Sequence, residues 1–155
     1  MNFIKRLFQQ PQDYIQCPRC LGKGHVDEDD ITRLGNELYW LPGKCAYCNS
    51  KGKVDPKIVE SVAPNEVFLS TDRTQIERLR IIDRDPAILQ EKRIFDERRE
   101  QFIQQIIELH FSELMSPEQI TNLYMEAGPR LSEEDYAKEK KELLRYVEKV
   151  IAYHQ

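Results

Sequence analysis

No run of eighteen consecutive apolar residues occurs in this 155-residue chain, so no membrane-spanning helix is expected. The first ten residues, Met1 to Gln10, hold neither a long apolar stretch nor a small-residue cleavage site, and no secretory leader is expected. There is no excess of positive charge. The formal net charge is −4, which argues against a chain that lives on nucleic acid. No glycine-rich phosphate loop and no nucleophile elbow is present, so nucleotide hydrolysis and acyl transfer by those devices are not expected. Cysteine is scarce too: there are only four. In the reducing cytoplasm expected for a chain without leader or anchor, such thiols remain free to bind metal.

All four cysteines fall in two stretches that read almost alike. One is Cys17-Pro18-Arg19-Cys20-Leu21-Gly22-Lys23-Gly24-His25-Val26-Asp27, the other Cys45-Ala46-Tyr47-Cys48-Asn49-Ser50-Lys51-Gly52-Lys53-Val54-Asp55. Both cysteines, a Lys-Gly pair and a Val-Asp pair coincide at an offset of 28 positions. Two residues between paired cysteines let a tight turn present both sulfurs to one ion, and two such turns complete a tetrahedron. Cys17, Cys20, Cys45 and Cys48 are therefore the expected ligands of one Zn2+ per chain. A closed four-thiolate shell leaves no position for water or substrate, so the site is structural rather than catalytic. Its formal charge of about −2 from four thiolates on a dication is expected to be offset by Arg19, Lys23, Lys44, Lys51 and Lys53. Gly22, Gly24 and Gly52 permit positive φ, so the chain can fold back over the metal as a small hairpin.

Cys-x-x-Cys-x-Gly-x-Gly, as in Cys17 to Gly24, resembles the cysteine-rich zinc module of DnaJ-type co-chaperones. The second copy fits except for Ser50 in place of the first glycine. The resemblance covers residues 17–55, and two repeats suffice for one zinc where the family's module has four repeats and two. No His-Pro-Asp triplet is present, so the stimulation of heat-shock ATPases by a J domain is not implied. The resemblance implies a finger fold and a habit of binding polypeptide.

The rest divides by pattern. Residues 1–16 are a lead-in with Phe3, Ile4, Leu7 and Phe8 at helical spacing, ended by Pro11. Within residues 17–55, the acidic run Asp27 to Asp30 reads as a solvated turn. The stretch Glu37-Leu38-Tyr39-Trp40-Leu41 reads as a strand closing on Pro42-Gly43, with Trp40 packed over the metal site. Residues 56–72 are a connector. Residues 73–155 are helical. Thr71 or Asp72 caps a short helix through Ile82, and Asp85-Pro86 opens a long one to Met115. Ser116-Pro117-Glu118-Gln119 opens a third, ending at Gly128-Pro129, and Ser132 opens the last, towards Tyr153. Ile81, Ile88, Phe95, Phe102 and Leu109 recur every seven residues, a single seam suited to a partner, while Ile103, Ile106, Ile107, Phe111 and Leu114 make a wider face that should be buried.

The expected architecture is thus α+β, a small zinc-stapled β-hairpin finger followed by an antiparallel helical domain of three or four helices. The expected function is non-enzymatic: a protein-interaction module, chaperone-like adaptor or part of a larger protein assembly, with homo-oligomerisation through the helices open. Two other readings exist. Arg19, Lys23, Lys51 and Lys53 with Trp40 and Tyr47 make a basic-aromatic patch suited to a nucleic-acid-binding zinc ribbon, and either Cys-x-x-Cys pair suits a thiol–disulfide oxidoreductase. His25 follows Cys20 closely but reads as a surface residue beside four better ligands. His110 reads as the flank of an apolar helix face. Glu133-Glu134-Asp135 reads as acidic residues favoured at a helix start.

Overall fold

The computed structural model describes residues 13–155, so the lead-in pattern over Phe3, Ile4, Leu7 and Phe8 lies outside the described residues. The chain is α+β and divides between Leu89 and Gln90 into two compact units. The first holds strands β1 (Ile15–Gln16), β2 (His25–Val26), β3 (Gly43–Lys44) and β4 (Lys53–Val54) with helices α1 (Glu28–Leu34), α2 (Pro56–Ser61) and α3 (Gln75–Ile82). The division falls inside helix α4 (Pro86–Ile107), which is followed by a π-helical turn (Glu108–Ser112), α5 (Pro117–Ala127) and α6 (Glu133–Tyr153).

In the first unit the 28-residue sequence repeat becomes a structural pseudo-dyad. β1 pairs antiparallel with β4 and β2 with β3, in the registers Ile15↔Val54, Gln16↔Lys53, His25↔Lys44 and Val26↔Gly43. Adding 28 to β1 and β2 gives β3 and β4. The strand entering each Cys-x-x-Cys turn thus pairs with the strand leaving the other. The expected hairpin within each repeat is replaced by pairing between repeats, because a two-residue strand gains its ladder partner only from the opposite copy. The symmetry runs on into the helices. Asp27 caps α1 and Asp55, its equivalent, caps α2. The acidic run is therefore the first turn of a helix, not a free turn. Asp27 accepts from the Asp30 amide while Asp30 accepts from the Asp27 amide, so the acidic residues satisfy the helix's orphan N–H groups and face its positive end.

Glu37 to Leu41 does not form the expected strand. The Tyr39 and Trp40 amides both donate to the Asn36 carbonyl at 3.0 Å, folding the stretch into a turn that buries Leu38 and Trp40. Packing of two large side chains outweighs the β-propensity of the segment. The core of this unit gathers the four cysteines with Val26, Ile31, Trp40, Ala46, Tyr47, Val54, Val62, Phe68, Leu69, Ile81 and Ile88. Val62, Phe68 and Leu69 come from the segment read as a connector, and α2 lies in it too.

In the second unit Ile103 and Ile106 of α4, Ile120 and Thr121 of α5, and Val147, Val150 and Ile151 of α6 are buried. Phe102 stacks on Tyr146 (ring centroids 5.7 Å) and meets Tyr124 edge-on (4.9 Å), joining three helices through one ring. The cap signals at Asp85, Ser116 and Ser132 hold: each side chain accepts an amide of its helix's first turn. The short helix starts later than expected. Thr74 and Glu77 form its capping box, not Thr71 or Asp72. The heptad seam is not one surface. Ile81 and Ile88 belong to the first unit's core, Phe95 is exposed, and Phe102 belongs to the second unit. Past Ile107 the ladder widens, with the Glu113 amide donating to the Glu108 carbonyl at 3.1 Å. A wider turn rotates the residues beyond it off the α-helical stripe. Phe111 and Leu114 are therefore exposed, not buried as their spacing suggested.

Candidate metal centre

Two of the three bonds that close each Cys-x-x-Cys turn are the same in both copies. In the first, the Leu21 amide donates to Cys17 O (2.9 Å), Lys23 N to Cys20 O (3.1 Å) and Gly24 N to Cys20 Sγ (3.3 Å). In the second, Lys51 N donates to Cys48 O (3.1 Å) and Gly52 N to Cys48 Sγ (3.2 Å), while the donor to Cys45 O (2.9 Å) is Ser50 N, one residue beyond the equivalent of Leu21. Such turns need left-handed backbone. Leu21 (φ +52°) and Gly22 (+87°) are matched by Asn49 (+53°) and Ser50 (+63°), so Ser50 takes the conformation that glycine takes in the first copy. The turns are stitched together by Cys17 N donating to Gly52 O (2.9 Å) and Cys45 N to Gly24 O (3.1 Å).

This brings all four expected ligands to one point. The sulfur atoms of Cys17, Cys20, Cys45 and Cys48 all lie within 4.8 Å of one another, and they are free thiols in a buried site. Cys17 and Cys45 Sγ are 3.8 Å apart, Cys20 and Cys48 Sγ 3.7 Å. A tetrahedral ion with metal–sulfur bonds of about 2.3 Å has ligand edges of about 3.8 Å. The four sulfurs are therefore spaced to hold one metal ion. Four such sulfurs cannot share charge easily on their own. Hydrogen bonds from Cys17 and then Cys45 hold the Cys48 thiol well below its usual range, while Cys17, then Cys48, then burial push the Cys45 thiol up. A dication among them removes that conflict by letting all four bind as thiolates.

Of the five cations expected around the sulfurs, Arg19 lies close to them and the four lysines are turned to other partners or to solvent. Lys44, Lys51 and Lys53 are exposed, and Lys23 is engaged by Asp27 and Asp30 (2.8 Å to Asp30). The cations close to the cluster are Arg19 and Arg78. Both are buried, which lowers the pKa of each, Arg19 to about 10, and the neighbouring sulfurs oppose that lowering. Arg19 is wholly buried with its guanidinium 4.2 Å from the Trp40 ring centre and 5.1 Å from that of Tyr47. Arg78 donates twice to the Tyr47 carbonyl (3.3 and 2.9 Å), and Arg33 donates to the carbonyls of Pro18 (3.2 Å) and Arg19 (2.6 Å). Residues 19 and 47 are dyad equivalents, so each Cys-x-x-Cys turn has an arginine on its third carbonyl. Arg78 and Arg33 carry no signal in the sequence, since neither is near a cysteine in the chain. His25 is exposed in β2 and stands outside the sulfur cluster. His110, whose Nδ1 lies 2.8 Å from Met115 O, is part of the π-helical turn. Among the described residues no other group of metal-ligating side chains gathers, and no helix is long and apolar enough to cross a membrane.

No family model matches this chain, and comparison with curated proteins and with solved structures finds no match.

Proposed function

We propose that this chain is a non-enzymatic, cytoplasmic protein-interaction module whose first unit is stapled by one Zn2+ on Cys17, Cys20, Cys45 and Cys48. It works as a chaperone-like adaptor or as a component of a larger protein assembly, with a finger related to the DnaJ-type cysteine-rich module. The observation that carries this reading is the closed, buried four-sulfur cluster. Four thiolates fill the coordination of zinc and leave no open position for chemistry. Burial also argues against thiol–disulfide exchange, which needs an accessible thiolate. The nucleic-acid reading loses its aromatic half, because Trp40 and Tyr47 are buried on the guanidinium of Arg19. Surface for a protein partner exists on the helices, where Ile94, Phe95 and Tyr136 are exposed.

The test is capture from native lysate on the full chain, with and without nuclease, beside a gel-retardation titration. The reading expects a defined protein partner that survives nuclease, and no retardation at low salt. Retardation that weakens steeply with salt, with no nuclease-resistant partner, contradicts it.

A further inference from the structure

Residues 62–69 have no regular secondary structure, yet six of their eight backbone carbonyls are held by side chains. Tyr47 donates its hydroxyl to Val62 O (2.5 Å). Arg19 donates Nε to Pro64 O (2.6 Å), Nη2 to Glu66 O (3.3 Å) and Nη1 to Leu69 O (2.5 Å). Asn36 Nδ2 reaches Asn65 O (3.2 Å), and Trp40 Nε1 reaches Val67 O (3.1 Å). Where an irregular segment is tucked into a core, as Val62, Phe68 and Leu69 tuck this one, its carbonyls must find such partners or go unsatisfied. Four of these six bonds come from Arg19 and Tyr47, the dyad-related third residues of the two Cys-x-x-Cys turns. Their side chains are aimed by the same turns that aim the sulfurs.

We infer that Arg19 and Tyr47 are positioning residues of the metal centre, and that metal occupancy and the docking of residues 62–72 are one thermodynamic event. The inference rests on the zinc reading above. With the ion bound, the two turns are locked and the arginine fork meets three carbonyls at once. Without it, the turns relax, the fork loses its aim and the segment releases. Coupling of this kind is reciprocal: whatever loosens the segment weakens the metal by the same factor. The cost is a loss of shape rather than of charge, since a lysine at position 19 keeps the cation and loses the fork.

The test uses the full chain, purified anaerobically, with zinc content, zinc affinity by chelator competition, and amide exchange over residues 62–72 read together. That window holds hydrogen-bonded amides at Glu66 (to Ala63 O, 3.0 Å), Phe68 (to a Glu66 carboxylate oxygen, 3.2 Å) and Asp72 (to Lys44 O, 3.0 Å). Stripping zinc from the natural chain is expected to speed exchange there by at least about tenfold. Arg19→Lys is expected to weaken zinc by about 10- to 100-fold, the range seen when outer partners of metal ligands are changed, and to speed the same amides with zinc still bound. Tyr47→Phe, which removes one hydroxyl and keeps the ring, moves both readouts the same way by less, and serves if Arg19→Lys does not fold. A natural chain that binds no zinc defeats the zinc reading and this inference with it. A chain that binds zinc, keeps 62–72 protected when stripped and holds zinc within about twofold in both variants overturns this inference alone.

Discussion

Replacing Cys20 by serine is expected to cost the chain its zinc and unfold the first unit while the second stays helical. Structural zinc contributes about 10–16 kcal/mol in small zinc-folded modules, as much as the whole stability of an ordinary domain, about 5–15 kcal/mol. The first unit has little to fall back on. Four of the fifteen residues in its core are the cysteines themselves, and its strands are two residues long. The second unit has its own buried residues on three helices. Far-UV circular dichroism should therefore shrink but persist. The helices α1, α2 and α3 hold 7, 6 and 8 residues, against 22, 11 and 21 in α4, α5 and α6. Backbone amide resonances of residues 90–155 should keep their dispersion as those of 13–85 lose it. Complete loss of helix would show that the two units do not fold independently.

Gly24→Ala is expected to destabilise the first unit by on the order of 3–5 kcal/mol, from left-handed strain and a backbone clash together. Gly24 sits at φ +79°, and a methyl there would lie 2.6 Å from the Ser50 carbonyl oxygen of the opposite turn. Gly52 is its dyad mate, at φ +77°, where a methyl would meet the Gly22 carbonyl oxygen. No flexible side chain yields in either place. The backbone that must move also carries the amide bond to Cys20 Sγ and the carbonyl that receives Cys45 N. Gly52→Ala should therefore match Gly24→Ala in size. Gly35→Ala is the control: φ is +72° but no atom lies within 4 Å, so only the left-handed term of about 1–2 kcal/mol remains. Chemical denaturation of the three variants with zinc bound measures the order. Equal losses at all three would mean that conformational strain alone, and not close approach of the turns, requires glycine.

The gathering of the four cysteines was legible because a shared site leaves a spacing in the chain. So were the helix starts at Asp85, Ser116 and Ser132, since a cap is a local bond between neighbours in sequence. Less visible was how far the 28-residue repeat extends. Asp27 and Asp55 align in sequence, but the helices after them share almost no residues, so α1 was hidden in what reads as a charged turn. A carboxylate at the third helical position, Asp30, completes that box where glutamate or glutamine is the usual signal. The role of residues 62–69 was out of reach altogether. What is recognised there is backbone carbonyls, which every residue has, and the donors are 15 to 50 positions away. The burial of Arg19 and the whole role of Arg78 were hidden in another way. Arginine is rarely buried without partners, and only the fold shows that carbonyls, aromatic rings and sulfurs supply them. The π-helical turn at Glu108–Ser112 has no marker residue, so the apolar spacing through Phe111 and Leu114 promised a burial that the wider turn undoes.

Whether the four sulfurs hold one zinc in a closed shell is open to direct measurement. Elemental analysis of anaerobically purified full chain, followed by replacement with cobalt(II) and reading of its absorption spectrum, tests it most directly. One zinc per chain is expected and, on cobalt, the intense visible bands of a tetrahedral four-thiolate site, both lost in Cys20→Ser. Protein that purifies folded and without metal, or a cobalt site that keeps a bound water, would contradict it.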